Sequence, residues 1–193
     1  SDYCGWQRQK KTKETIQEYI EFSLSKLLRK KISITGAGRT DAGVHAYNQT
    51  ANFLIDKKIN DIQKTLYALN SMLPRTITIK SIKPINIDFH SRYSAISREY
   101  IYQMTLRNIS ICQKYYHKLN YRLDFKIIDE FIKIVIGRNS FKSLCKNSED
   151  KHNFFCDMKE IEYKINKKKE TIIFRLLCDR YLHSMVRALL GTF

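Results

Sequence analysis

Glycine is scarce in this chain, with six in 193 residues, yet Gly36, Gly38 and Gly43 fall within one short stretch. Glycine admits positive φ and lets another molecule approach the backbone closely, so such a cluster in a glycine-poor chain marks a special loop. No apolar run approaches the roughly 18 residues that a bilayer span needs. The start, Ser1-Asp2-Tyr3-Cys4-Gly5-Trp6, lacks the charged-then-apolar order of a signal peptide. A cytoplasmic protein is the expectation. The five cysteines, Cys4, Cys112, Cys145, Cys156 and Cys178, are odd in number and never spaced as C-x-x-C. They read as reduced structural thiols rather than as a disulfide framework or a zinc site. The histidines form no H-x-x-x-H pair with a nearby acid, so no metal is implied. Acidic residues are in deficit too, 19 against 35 basic ones, a formal net charge of +16. That excess favours a polyanionic partner, nucleic acid first, over a Lys-rich drift of composition. An anionic membrane surface fits less well, because no helix is basic on one face and aromatic on the other.

What is present fits a globular protein: 43% hydrophobic and 28% charged residues, enough for one large domain or two small ones. Helical spacing of Ile16, Ile20, Leu24 and Leu27 predicts a helix from Thr12 to about Lys30. Asn60 is placed to cap a second, carrying Ile62, Leu66, Leu69 and Leu73 and stopped by Pro74. A third follows Asp124 with Ile127, Phe131 and Ile134 and ends at Gly137. A fourth spans about Asp179 to Leu190. Strands are predicted at Ile32–Thr35, Ala51–Ile55, Thr76–Ile79, Tyr100–Leu106, around Ile161-Tyr163-Ile165, and at Thr171–Cys178. This order is α+β, two β-α-β-β-α-β units each short of one terminal strand, which describes two ferredoxin-like halves. The expected halves are residues 1–108, holding the glycine loop, and 109–193, with the polar stretch Arg107–Asn120 as the hinge. Because the lacking strands fall at both chain ends, the chain is expected to be a fragment. A single irregular α+β domain is the alternative.

The stretch Gly36-Ala37-Gly38-Arg39-Thr40-Asp41-Ala42-Gly43-Val44-His45-Ala46 sets one acid among glycines with an Arg two residues away. A dinucleotide-binding G-x-G-x-x-G fails, since Asp41 stands at the third glycine and no long helix follows. A phosphate-cradling P-loop fails for want of a G-K-[ST] ending. A catalytic carboxylate held in a tight loop between two strands remains, against a decorated hairpin that needs neither the Arg nor three glycines.

Gly38-Arg39-Thr40-Asp41-Ala42-Gly43-Val44-His45-Ala46 resembles the signature of the TruA-type tRNA pseudouridine synthases. Other stretches resemble that family's motifs in the same order. They are Cys4-Gly5-Trp6-Gln7-Arg8-Gln9; Leu69-Asn70-Ser71-Met72-Leu73-Pro74; Phe89-His90-Ser91-Arg92-Tyr93-Ser94-Ala95, followed by Arg98-Glu99-Tyr100-Ile101-Tyr102; and Tyr181-Leu182-His183-Ser184-Met185-Val186-Arg187, with Gly191. The resemblance implies a pseudouridine synthase fold and isomerisation of uridine at positions 38 to 40 of the tRNA anticodon stem-loop. It implies no cofactor, and a homodimer with tRNA across both subunits.

By the same resemblance Asp41 is the catalytic carboxylate. Attack on the sugar, attack on the base and abstraction of a sugar proton all stay open, and all need an ionised Asp. Arg187 is implied as its ion-pair partner, since an opposed cation favours the carboxylate form. Arg39 is implied to fill the place of the flipped uridine, a role suited to a planar, always-charged head. Tyr100 is implied to stack on the flipped base. His45 is expected to fix the loop without taking part in the chemistry. Departures from the family pattern are Asn48 and Thr50 in place of Gly and Val, Tyr181 in place of Phe, and His183. The competing reading is a non-catalytic RNA-binding module on a ferredoxin-like sheet. Against it, no stretch matches the K/R-G-F/Y-G/A-F-V-x-F/Y pattern. An inactive fragment is the third.

Overall fold

The computed structural model describes residues 2–10, 12, 14–146 and 153–193. It divides into two compact units, residues 1–95 and 96–193.

In the first unit, helix α1 (Ile16–Leu28) buries Gln17, Ile20, Glu21, Ser23 and Leu24. It starts later than the predicted Thr12, because its first donors are satisfied from elsewhere in the chain. Ile16 N donates to Gly5 O (3.2 Å) and Gln17 N to Trp6 O (3.0 Å), so Thr15 supplies no side-chain cap. Two residues of strand on each side of the glycine loop pair antiparallel: β1 (Thr35–Gly36) and β2 (Ala51–Asn52). Helix α2 (Ile62–Met72) is capped by Asp61, one residue after the predicted Asn60, whose carboxylate accepts from Lys64 N at 2.8 Å. The core gathers Trp6, Ile20, Leu24, Ile32, Ile34, Leu69, Leu73 and Ile77.

The predicted strand Thr76–Ile79 is not one. Its alternation does bury Ile77, but no described strand pairs with it. The amide of Asn70 takes a strand's place, donating from Nδ2 to Ile79 O (2.9 Å) and accepting Ile79 N–H at Oδ1 (2.8 Å). A side chain thus satisfies the backbone where a ladder was expected.

The second unit is a five-stranded sheet in the order β4-β3-β7-β6-β5. Its strands are β3 (Arg98–Thr105), β4 (His117–Lys118), β5 (Gly137–Ser140), β6 (Phe155–Asn166) and β7 (Thr171–Cys178). Strands β6 and β7 form an antiparallel hairpin with a register shift between Met158 and Glu160. The other edge of β7 takes β3, antiparallel, from Arg98 opposite Cys178 to Thr105 opposite Thr171. Helix α3 (Phe125–Val135), capped by Asp124, lies in sequence between β3 and β6; α4 (Met185–Gly191) follows β7. Ile128, Met158, Phe174, Leu176, Met185 and Leu189 fill the core.

Three expectations change here. The expected half ending at residue 108 includes β3, yet that strand spends its ladder on β7, and the structure divides at Ala95/Ile96. The stretch Arg107–Asn120 is no hinge: β4 lies within it, Leu119 N donates to Thr105 O (2.8 Å), and Leu119 is buried. Its one apolar anchor is too little to register as periodicity. Helix α4 begins at Met185 rather than Asp179. The Asp179 carboxylate accepts from Asp157 N (2.8 Å) and Arg180 N (2.6 Å), which ties that segment to β6 instead.

Candidate active site

The glycine loop leaves β1 and returns into β2. At its base Ala37 N donates to Thr50 O (2.8 Å), and Gln49 Nε2 reaches across to Gly38 O (2.6 Å). At its tip Val44 N donates to Asp41 O (3.3 Å), closing a turn in which Gly43 takes φ +82°. That is the left-handed region, where a Cβ is strained. Asp41 and Arg39 are both exposed at this tip.

The loop is clamped from the chain's start. Trp6 N donates to Thr40 O (3.1 Å), and Gly5, at φ +93°, lies so close beneath that a Cβ would stand 2.7 Å from the same oxygen. The buried Trp6 indole fills the space over Gly36, where a Cβ would come within 2.5 Å of Nε1. Gly36 therefore serves protein packing, not the approach of a nucleotide.

Beneath the clamp lies a carboxylate that sequence reasoning missed. Glu21, 1% exposed, accepts Ile34 N–H (2.9 Å), Gln17 Nε2–H (3.0 Å) and Ser33 Oγ–H (3.2 Å) on Oε1, and pairs with Arg8 through Oε2. Arg8 N in turn donates to Gln17 Oε1 (3.0 Å). This network ties α1, the run into β1 and the Gly5–Arg8 segment together. An acid between Ile20 and Leu24 on the apolar stripe of α1 was its visible signal.

Tyr100 and Arg187 belong to the second unit, where the structure gathers them with two further tyrosines. Tyr100, on β3, meets Tyr181 edge to face, with centroids 4.8 Å apart and planes at 78°. Burial raises the Tyr102 hydroxyl pKa, and the positive charge of Arg187 partly offsets this. Arg187 itself is exposed on α4. Burial also raises the Tyr181 hydroxyl pKa, with Cys178 and Tyr100 adding to it, so that group stays a neutral donor. It has no hydrogen-bond partner among the described residues. Among those residues no three His, Cys, Asp or Glu side chains group as metal ligands would. No helix among them is long and apolar enough to cross a membrane.

Comparison with known proteins shows the family. A family model described as tRNA pseudouridine synthase matches residues 1–94 and 131–193, which span the clamp, the loop, β6, β7 and α4. A protein of Chlorobium limicola named tRNA pseudouridine synthase A is 35% identical over 191 residues, covering 99% of this chain and 77% of the relative. Its namesake in Brachyspira hyodysenteriae is 36% identical over 197 residues, 100% of this chain and 77% of the relative. That of Acetivibrio thermocellus is 31% identical over 195 residues, 100% and 78%. With its mixed α+β architecture and two sheets consistent with that fold, the chain belongs to the tRNA pseudouridine synthase family.

Proposed function

We propose that this chain isomerises uridine to pseudouridine in tRNA, at positions 38 to 40 of the anticodon stem-loop, with Asp41 as the catalytic carboxylate. The observation that carries the proposal is the clamped loop. It holds a carboxylate out at a turn fixed by Trp6, Gly5 and Gln49, an arrangement costly in backbone constraint and idle unless the acid meets a ligand. The net charge of +16 suits an RNA substrate.

The reaction breaks the bond from ribose C1′ to uracil N1, turns the base and rejoins C1′ to C5, while the C5 hydrogen leaves and N1 gains one. Atoms balance within the substrate, and no cofactor enters. Asp41 would act ionised. On this reading, Arg187 would supply a cation favouring that state, Arg39 would fill the gap of the flipped nucleotide, and Tyr100 would stack on the uracil. Two ferredoxin-like halves would carry these groups. In the second unit, β3, α3, β6, β7 and α4 run in the order of that fold, with β7 between β3 and β6. A cytoplasmic homodimer with tRNA across both subunits completes the reading.

The test is incubation of the chain with unmodified tRNA, followed by mapping of pseudouridine in the anticodon arm. Product from the wild type and none from Asp41→Ala at equal tRNA affinity is the expected result. An unchanged rate in Asp41→Ala would remove the acid from the mechanism. A tight complex without any modified base would make the protein an RNA-binding module instead.

A further inference from the structure

One motif has no part in that chemistry: Phe89-His90-Ser91-Arg92-Tyr93-Ser94. In the structure it forms a locked turn. His90 Nδ1 accepts the backbone N–H groups of Arg92 (3.2 Å) and Tyr93 (3.3 Å). Ser94 N donates to His90 O (2.8 Å), and His90 N donates back to Ser94 Oγ (3.1 Å). Ser91, 2% exposed, anchors the turn: its Oγ donates to Thr35 O (2.6 Å) and its N to Asn52 Oδ1 (2.9 Å). Those two residues face each other across β1 and β2, the strand pair that carries the Asp41 loop.

What the turn presents is Tyr93. Its ring lies 4.3 Å from the His90 ring at a 32° tilt, with the Arg92 guanidinium 5.6 Å from its centroid, and still 76% of the residue is open to solvent. A single exposed aromatic is ordinary. An exposed aromatic in a turn fixed by four hydrogen bonds, one of them from its own N–H, flanked by an imidazole and a guanidinium, and bolted to the strands of the candidate active loop, is a prepared surface. Ordering the backbone of this turn costs nothing more on binding, because that order is already built in.

We propose that Tyr93, with Arg92 and His90, is a stacking platform for an unpaired nucleobase of the substrate RNA, close to the nucleotide that reacts. Every base has a π-face that a tyrosine ring accepts without regard to sequence, and a neighbouring guanidinium suits the adjoining phosphate. The platform would hold a neighbour of the flipped uridine while that uridine leaves the stack. This rests on the reading of tRNA as substrate, and it adds a second point of grip to the one at Arg39.

The experiment uses the whole chain and an unmodified tRNA, with affinity from filter binding, pseudouridine from single-turnover assays and mass from sedimentation. Tyr93→Ala weakens tRNA binding about tenfold or more, the scale of one lost base stack, while the salt dependence keeps its slope. Tyr93→Trp stays within about threefold, and its new indole is quenched on adding tRNA. The native Trp6 is buried and is the chain's one tryptophan. Tyr67→Ala, equally exposed at 78% on α2, leaves affinity within about twofold. Wild-type affinity in Tyr93→Ala, or an unquenched new indole in Tyr93→Trp, overturns the proposal. So does a change of assembly mass at unaltered affinity, which would make the ring a protein contact. If the wild type binds tRNA yet makes no pseudouridine, the enzyme reading fails while the affinity series still judges the platform.

Discussion

Replacing Gly5 by Ala perturbs the Asp41 loop from 36 residues away in sequence, and the structure supplies the magnitude. Gly5 sits at φ +93°, where an L-residue costs about 1–2 kcal/mol. The new methyl would lie 2.7 Å from Thr40 O, 3.2 Å from Asp41 C and 3.3 Å from Ala42 N, where ordinary contact begins at 3.4 Å. All three are backbone atoms, so no flexible side chain can give way. Relief requires Thr40 O to move by about 0.7 Å, from 2.7 to 3.4 Å, straining the 3.1 Å bond from Trp6 N, a bond worth about 0.5–1.5 kcal/mol. The sum is a loss of about 2–3 kcal/mol from the first unit. The functional loss follows from displacement: misplacing a reacting group by about 1 Å can cost on the order of a hundredfold. A ten- to hundredfold drop in single-turnover rate, on the order set by that displacement, is expected. Gly43→Ala is the internal control. Its φ of +82° carries the same kind of strain, but nothing stands within 4 Å of its Cβ, so about 1 kcal/mol is expected. Urea unfolding of both variants and pseudouridine formation by Gly5→Ala measure the effect. Equal stability loss in the two variants, with a wild-type rate in Gly5→Ala, would refute the clamp.

Glu21→Ala strips the acceptor from the buried Ile34 N–H and from Gln17 and Ser33, and frees the half-exposed Arg8 to water. A loss of about 3 kcal/mol in unfolding free energy is expected, and an unchanged denaturation midpoint would contradict the network. Tyr181→Phe removes a buried hydroxyl with no partner among the described residues, so melting temperature should hold or rise by a few degrees; a clear fall would mean that the hydroxyl has a partner. The neighbouring Cys178 thiol and, after it, Arg180 lower the Cys156 pKa to about 7 from 9.0. The unfolded chain then holds more protons than the folded one between these values, so this group adds stability as pH rises from 7 to 9 and loses it as pH falls through 7. Denaturant titrations across that window should show the gain in the wild type and its loss in Cys156→Ser.

Elements whose burial follows a local pattern were legible in the sequence. Strand β7 occupies the predicted Thr171–Cys178 because Ile172, Phe174, Leu176 and Cys178, at every second position, face one core. Helix α3 starts where Asp124 caps it and ends before Gly137, but its inward face was misread: Ile128 and Val135 are buried, while the expected Ile127 and Ile134 are exposed. What escaped were features settled at long range. Whether Tyr100–Leu106 pairs forward or backward in the chain is not written in its alternation; β7 decides it. The loop around Asp41 was visible as a motif, and so was Gly5-Trp6, but not that one clamps the other. The same limit hid the turn at Tyr93, whose motif letters reveal neither its exposure nor its anchoring on Thr35 and Asn52.

The amide of Asn70, which stands in for a strand opposite Ile79, carries a chemical consequence. Its role depends on being donor and acceptor at once, toward Ile79 O and Ile79 N. Hydrolytic deamidation to Asp would replace the donor with a second oxygen, setting a carboxylate against the Ile79 carbonyl. One lost ammonia would turn a two-way pairing into a repulsion beside the first unit's core, so the chemical ageing of a single side chain would register as loosening of the segment that follows α2.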